Sequence, residues 1–226
     1  MEYKAFIMSQ LVFKFPFKKK YYEQDFYVSS NNFNAYKLIE NWPNWPGKCL
    51  NVFGASGSGK THLSKILEKK IKKIKLIDAE NLNDQIIEEL NNLDCLIIDK
   101  YNKNIEEKLF YSIFNQCKQL ENYILINSIQ SLKEYSFKLK DLQSRINSLV
   151  YIGIDLPTDE LLQVIITKSF SDKQISLNPK ISQFIINNVD RSYDKMFKFL
   201  KDIDELSLST GKSININLIK KVLGNE

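Results

Sequence analysis

The chain has 226 residues, of which 43% are hydrophobic and 26% charged, and its formal net charge at pH 7 is +5. These values are typical of a globular protein with one large or two small domains, and no apolar stretch approaches the roughly 20 residues of a membrane span. The three cysteines are odd in number and unpatterned, which argues against a disulfide framework or a metal site and favours a reducing, cytoplasmic compartment.

The first segment in chain order is a tail, residues 1–18, with one alternating stretch. Gln10 opens this stretch, and the side chains of Leu11, Phe13 and Phe15 then fall on one face of an extended chain. The pattern predicts either an edge strand or a peptide whose apolar anchors enter a partner's pocket.

Strands and helices alternate through the middle of the chain. Short apolar runs predict five strands, at residues 49–53, 74–78, 95–99, 123–127 and 149–154. Helical spacing predicts helices near residues 34–41, from 62 to 74, near 81–91 and near 104–120. This alternation is typical of an α/β fold, a parallel five-stranded sheet covered by helices on both faces, which we assign to residues 19–155.

Beyond Pro157 the pattern is helical throughout. Helices are predicted at residues 158–172, 178–189, 191–208 and 215–223, separated by the breaks Asn178-Pro179 and Thr210-Gly211. Residues 156–226 are therefore expected to form a small all-α domain.

The most informative motif is the glycine-rich loop between the first strand and the helix that follows it. It fits the phosphate-binding pattern G-x-x-x-x-G-K-[ST] at every fixed position, with Gly54, Ala55, Ser56, Gly57, Ser58, Gly59, Lys60 and Thr61. Glycines let backbone N–H groups surround phosphate oxygens, the lysine reaches the terminal phosphates, and the threonine hydroxyl ligates Mg²⁺. The loop predicts bound ADP or ATP with Mg²⁺. His62, which follows it, is counted with the nucleotide site, although it has no evident partner and no catalytic role is expected.

Two polar residues end predicted strands on the side of this loop. Asp99 closes an apolar strand, as does the acid that holds Mg²⁺ in proteins with this loop, and Thr61 is its predicted partner in the metal site. Asn127 closes the next strand, where it fits a polar sensor of the γ-phosphate. Either residue is also common at the end of an ordinary buried strand.

The residue after Asp99 bears on hydrolysis. ATPases of this kind usually have a second acid there, which orients the attacking water, whereas this chain has Lys100. A protonated lysine cannot act as a base, so weak or absent intrinsic ATPase activity is predicted. Glu106 and Glu107 are the alternative bases, and both lie beyond the end of the strand.

Arginine is rare in this chain. The 32 Lys and Arg residues include two arginines, Arg145 and Arg191. Guanidinium grips phosphate with a planar, bidentate fork that ammonium lacks. Each arginine is thus either a phosphate-facing residue or part of a buried structural ion pair.

These features resemble the AAA+ family, and within it DnaA and its shorter relative Hda, in particular Hda of the alpha-proteobacterial type. The resemblance covers nearly the whole chain and rests on residues 24–32, 42–47, 59–63, 141–145, 157–162, 168–174 and 190–193. It implies that Arg145 is an arginine finger acting in trans and that Arg191, or else Lys195, is a lid sensor touching the chain's own nucleotide. The stretch from Gln10 to Phe15 resembles the sliding-clamp-binding motif of Hda.

The resemblance also implies partners. An Hda-like protein, tethered to the sliding clamp on DNA, promotes hydrolysis of the ATP held by DnaA and so prevents a second round of initiation. DNA is then contacted only through the clamp, and no helix-turn-helix domain of the kind that follows the lid in DnaA is present in these residues. A helicase-loader-type ATPase and a passive clamp-binding adaptor are the alternatives, and whether the chain forms a homo-oligomer is left open.

Overall fold

A computed structural model of the chain describes residues 22–103 and 105–224. These residues form two compact units, 22–156 and 157–224. Across the described ranges, no helix combines the length and apolarity needed to cross a bilayer.

The first unit is built on a five-stranded, all-parallel sheet, as predicted. The strands are β1 Cys49–Gly54, β2 Ile74–Asp78, β3 Cys95–Tyr101, β4 Tyr123–Ser128 and β5 Val150–Ile154. Their order across the sheet is β2-β3-β4-β1-β5. Because all strands run the same way, their carboxyl ends meet at one edge, and the glycine-rich loop leaves β1 at that edge.

Helices cover both faces of this sheet. They are α1 Phe33–Glu40, α2 Lys60–Lys70, α3 Gln85–Glu89, α4 Glu107–Leu120 and α5 Lys140–Asn147. Alternate residues of β3 divide between two cores: Leu96 and Ile98 pack in the one that contains residues of α3, α4 and α5, and Ile97 packs in the one that contains residues of α1 and α2. The prediction of a sheet buried on both faces is confirmed.

Three predicted helix boundaries in this unit were wrong. The helix after the loop ends at Lys70, because Ile71 is extended and Ile74 already belongs to β2. The helix expected near residues 81–91 is reduced to α3, since the Asn83 side chain accepts the Gln85 N–H at its start and residues 90–92 form a 3-10 turn. The helix expected from residue 104 begins at Glu107, after an extended Glu106.

The second unit contains four helices, as predicted: α6 Asp159–Ser171, α7 Pro179–Asn188, α8 Tyr193–Thr210 and α9 Ile216–Leu223. Each starts at a residue whose side chain accepts a backbone N–H of the first turn, namely Thr158, Asn178, Ser192 and Asn215. Such caps stabilise a helix start by about 1 kcal/mol each. Fully buried side chains such as Leu162, Ile185, Met196 and Ile219 fill the core of the unit.

Candidate functional site

The glycine-rich loop adopts a backbone conformation, and makes close approaches to its neighbours, that require glycine. Gly59, directly before α2, has a φ of +97°, and a Cβ there would lie 2.9 Å from the Phe26 ring. A Cβ on Gly54 would lie 2.6 Å from the carbonyl oxygen of Ile154, on the neighbouring strand β5. The loop is thus packed closely against Phe26 and β5. It leads into α2, and the positive end of the α2 dipole therefore points toward the carboxyl ends of the strands.

Lys60 folds over the loop from the first turn of α2. Its Nζ atom donates to the carbonyl oxygens of Gly54 and Ala55, at 2.7 and 2.9 Å, and to the Ser58 hydroxyl at 3.2 Å. The ammonium group is therefore held within the loop, the position from which it could reach a bound phosphate.

The predicted metal ligands, Thr61 and Asp99, and the predicted sensor, Asn127, meet at the carboxyl ends of the strands. Thr61 Oγ1 donates to Asp99 Oδ2 at 2.7 Å, and Asn127 Nδ2 donates to Asp99 Oδ1 at 2.9 Å and to Ser64 Oγ at 2.7 Å. Asp99 and Asn127 are each 1% exposed, so the carboxylate is buried with hydrogen-bond donors on both oxygens.

This oxygen-donor set fits Mg²⁺, which prefers carboxylate and hydroxyl ligands and keeps several waters. Within residues 22–103 and 105–224, no group of three or more His, Cys, Asp or Glu side chains is arranged to hold a metal ion. A metal at Thr61 and Asp99 would therefore draw its remaining ligands from water and from the phosphates of a nucleotide.

Lys100 is held as a cation next to Asp99. Its Nζ atom lies 2.6 Å from Asp78 Oδ2, on the neighbouring strand β2, and this hydrogen bond raises the pKa of the lysine. Its backbone has a φ of 54°, at an irregularity of β3 between Ile98 and Tyr101. Since the pKa is raised, the side chain stays protonated at neutral pH and cannot serve as a general base.

Glu107 does not act as the alternative base in this structure. Its two carboxylate oxygens accept the backbone N–H groups of Lys138 and Leu139, at 3.0 and 2.7 Å, just before α5. These hydrogen bonds lower the pKa of Glu107 and hold it as the anion. Glu107 thereby links the start of α5 to the start of α4. Glu106, the other alternative base, is exposed.

His62 has partners that the sequence did not indicate. Its Nε2 atom lies 2.7 Å from the carbonyl oxygen of Tyr22, and its ring meets the Phe26 ring edge-on with centroids 5.3 Å apart. Phe26 in turn stacks on Tyr36 of α1. The expectation that His62 has no partner was wrong: the side chain fastens the segment before α1 to α2. The contact spans 40 residues, and its acceptor is a backbone carbonyl, so no side-chain pattern could have predicted it.

Arg145 lies near the amino ends of the strands, whereas the glycine-rich loop lies at their carboxyl ends. Arg145 lies near the carboxyl end of α5, which ends at Asn147, and β5 begins three residues later at Val150, opposite Leu50 at the start of β1. The loop follows the last residue of β1, Gly54. At about 3.3 Å per residue, the two ends of this six-residue strand lie roughly 16 Å apart. The backbone of Arg145 therefore lies closer to the amino ends of the strands than to the loop of its own chain.

Asn115 is the side chain that contacts Arg145. The Arg145 Nη2 atom donates to Asn115 Oδ1 at 3.2 Å, and both residues are half-buried. Among the described residues Arg145 has no carboxylate partner, so the alternative of a buried ion pair was wrong for it. The sequence carries no signal for this contact, because the residues are 30 positions apart on different helices.

Arg191 and Lys195 lie in the helical unit. Arg191 pairs with Asp159 at 3.1 Å, with side chains 63% and 51% exposed, and Lys195 pairs with Asp190. The alternative of a buried ion pair was therefore wrong for Arg191 as well. The remaining predicted residues, Gln10, Leu11, Phe13 and Phe15, lie outside the described residues.

In comparisons with known proteins, the helical unit matches a family model, and most of the chain is similar to whole-length relatives or parts of them. The family model described as "Hda, lid domain" matches residues 159–223. The chromosomal replication initiator protein DnaA of Buchnera aphidicola (subsp. Cinara cedri) is 25% identical over 232 residues, covering 91% of this chain and 53% of that protein. The chain thus spans about half the length of this relative. An uncharacterized protein of Haemophilus influenzae is 23% identical over 212 residues, covering 88% of this chain and 92% of that protein.

Solved structures show the same fold. Domain III of the Thermotoga maritima replication initiation protein DnaA matches with a TM-score of 0.75 at 20% identity, covering 93% of this chain and 98% of that one. AMPPCP-bound DnaA from Aquifex aeolicus matches with a TM-score of 0.68 at 19% identity, covering 85% of this chain and 68% of that one. The sheet unit and the helical unit therefore each have the fold found in DnaA domain III.

Proposed function

We propose that the chain is an Hda-type, DnaA-related AAA+ protein that acts as a negative regulator of the initiation of DNA replication, because its residues 159–223 match the Hda lid model and most of the chain resembles DnaA. In this proposal it binds the sliding clamp and DnaA, and it supplies Arg145 to the ATP that DnaA holds. DNA is approached through the clamp, and the chain works in the cytoplasm at the nucleoid.

The observation that carries the proposal is the position of Arg145. Arg145 lies near the amino ends of the strands, whereas the loop leaves the carboxyl end of β1, and its guanidinium has a neutral partner in Asn115. An arginine whose charge is not neutralised by a carboxylate, and which lies away from the nucleotide loop of its own chain, is suited to a nucleotide on another subunit. An arginine supplied in trans stabilises transition-state charge and contributes about 10³–10⁵ in rate.

The chain's own site is proposed to hold ADP or ATP without turning it over. Gly54 to Thr61, with His62 beside them, would surround the phosphates, Asn127 would lie near the terminal one, and Arg191 would contact the nucleotide from the lid. Mg²⁺, held at Thr61 and Asp99, would neutralise phosphate charge. The Lys100–Asp78 ion pair supports a binding rather than a hydrolytic role, because no base follows Asp99.

The mechanism is tested by measuring hydrolysis of ATP bound to DnaA, in the presence of clamp-loaded DNA, with increasing amounts of the chain. The wild-type chain should accelerate hydrolysis, and Arg145→Ala should reduce the rate to that of DnaA with clamp and DNA alone. Lys140→Ala is the matched control, since it removes an exposed cation from the same helix α5 and should leave the acceleration unchanged.

The other outcomes identify the alternatives. Equal acceleration by wild type and Arg145→Ala would overturn the finger mechanism. If the chain binds the clamp but does not affect DnaA, it is a passive adaptor. Robust ATP turnover by the chain alone, lost on Lys60→Ala, would instead indicate a helicase-loader-type ATPase.

The tail is proposed to bind the clamp through Gln10, Leu11, Phe13 and Phe15. A glutamine for a polar pocket and apolar anchors at alternate positions suit an extended peptide that docks on a partner surface. The double variant Gln10→Ala, Leu11→Ala should lose binding to immobilised clamp. Lys14→Ala, which changes a polar residue that alternates with Phe13 and Phe15 in the sequence, should retain it. Equal binding by both variants would exclude this segment as the anchor.

A further inference from the structure

We infer that Asn115 is a positioning residue for Arg145, holding the guanidinium in place while leaving its positive charge available to a partner's nucleotide. The inference rests on the proposed function, in which Arg145 acts on ATP bound by another subunit. It adds a residue of α4 to the mechanism and explains why an amide, rather than a carboxylate, faces the arginine.

The backbone of α5 is fastened without Asn115. Glu107 binds the two N–H groups just before the helix, at Lys138 and Leu139. At the other end, the Tyr151 hydroxyl donates to the Ile146 carbonyl oxygen at 2.7 Å. Leu142 and Ile146 are fully buried on its inner face. These contacts fix the helix but not the end of a long, flexible arginine side chain, which loses rotamer entropy when it is held in one orientation.

The Asn115 amide supplies that missing constraint. Arginine has donors only, so it is the amide oxygen of Asn115 that must face it, as the 3.2 Å contact from Nη2 to Oδ1 shows. One donor of the guanidinium is engaged, and the side chain is oriented from α4, a helix that is itself packed on the sheet through buried Ile113 and Phe114.

The neutrality of Asn115 matters as much as its position. A carboxylate at the same place would form a charge-assisted pair, which is roughly twice as strong as a neutral hydrogen bond and would compete with phosphate for the fork. The chain's other arginine shows that arrangement, since Arg191 is paired with Asp159. At Arg145 the amide orients the guanidinium with a weaker, uncharged contact that a phosphate can outcompete.

The test compares three substitutions at one position in the DnaA hydrolysis assay with clamp-loaded DNA. Asn115→Asp keeps the shape and adds a charge, Asn115→Ala removes the contact, and Asn115→Gln keeps a neutral amide oxygen. At saturating amounts of the chain, we expect the maximal rate to fall roughly threefold to tenfold for Asn115→Ala and more than tenfold for Asn115→Asp. Asn115→Gln should recover most of the wild-type rate, and the concentration for half-maximal acceleration should stay unchanged for all three.

A purely structural role gives a different pattern. If Asn115 only packs α4 against α5, each loss of rate will follow the loss in melting temperature, and the isosteric Asn115→Asp will be no worse than Asn115→Ala. That result, or a wild-type rate for Asn115→Asp, would overturn the inference while leaving the proposed function intact, provided that Arg145→Ala abolishes acceleration. If Arg145→Ala accelerates as well as wild type, the proposed function itself fails.

Discussion

The Nζ atom of Lys100 lies 2.6 Å from Asp78 Oδ2, so the residue that follows Asp99 is held as a cation against the neighbouring strand. The two strands are in register, with Asp78 opposite Asp99. This pairing places the ammonium group where a P-loop ATPase would need a base, and it leads to the first prediction.

Replacing Lys100 with glutamate should raise ATP turnover by the chain alone. The wild-type chain should show no more steady-state phosphate release than Lys60→Ala. Lys100→Glu should exceed it by about tenfold, less than the roughly 10²–10⁴-fold that a general base contributes, because Asp78 repels the new carboxylate. Lys100→Gln is the control, since it removes the charge without adding a base, and its rate should stay at background. Turnover by the wild-type chain equal to that of Lys100→Glu would refute the interpretation of Lys100.

Thr61 should make nucleotide affinity depend on Mg²⁺. Its hydroxyl and the Asp99 carboxylate are joined at 2.7 Å and form the oxygen pair at which the ion is expected. In titrations with a fluorescent ADP analogue, Mg²⁺ should tighten binding to the wild type and to Thr61→Ser, which keeps the hydroxyl. For Thr61→Val, the gain should shrink by about tenfold or more. A Mg²⁺ effect of the same size in the valine variant would exclude Thr61 as a ligand.

The Glu107 anion should stabilise the fold in a pH-dependent way. Two backbone hydrogen bonds, from Lys138 and Leu139, lower its pKa below the ordinary value of 4.5. A lowered pKa means that the stabilisation is fully present above pH 4.5 and is lost as the pH falls through the folded-state pKa. In urea unfolding, wild type should therefore exceed Glu107→Gln in free energy of unfolding at pH 7, and the difference should shrink below pH 4.5.

The neighbouring acid provides the control for that series. Glu106→Gln changes an exposed carboxylate one residue earlier and should leave the free energy of unfolding nearly unchanged at every pH. A difference between wild type and Glu107→Gln that does not vary with pH would mean that the carboxylate charge is not what holds the start of α5.

Part of the candidate site could be predicted, because in a parallel sheet the direction of the strands determines where their carboxyl ends meet. The glycine-rich loop, Asp99 and Asn127 each end or follow an apolar strand, and parallel strands bring their carboxyl ends to one edge. The loop, Asp99 and Asn127 are therefore expected to lie close together whatever the order of the strands in the sheet. The helices of the second unit were similarly predictable, because each begins with a capping side chain that is evident in the sequence, as Asn178 is before Pro179.

The contacts that the sequence did not predict depend on which elements become neighbours. The Lys100–Asp78 pair exists because β2 lies beside β3 in that register. Asn115 meets Arg145 because α4 packs against α5, and the sequence pattern of residues 140–147 predicted no helix there. Such pairs join residues 22 to 30 positions apart, and the side chains themselves are ordinary surface types that occur throughout the chain.

Tyr151 should hold the end of α5 through its hydroxyl, with a characteristic pH dependence. Tyr151→Phe keeps the ring that faces Lys133 but removes the 2.7 Å hydrogen bond to Ile146, so it should lower the free energy of unfolding by about 1 kcal/mol at pH 7. Burial raises the pKa of Tyr151 from 10.0 to about 12. Between these values the unfolded chain ionises while the folded one stays protonated, so wild type should lose its advantage over the variant as the pH rises above 10. A constant difference between wild type and Tyr151→Phe across this range would mean that folding does not raise the pKa of the Tyr151 hydroxyl.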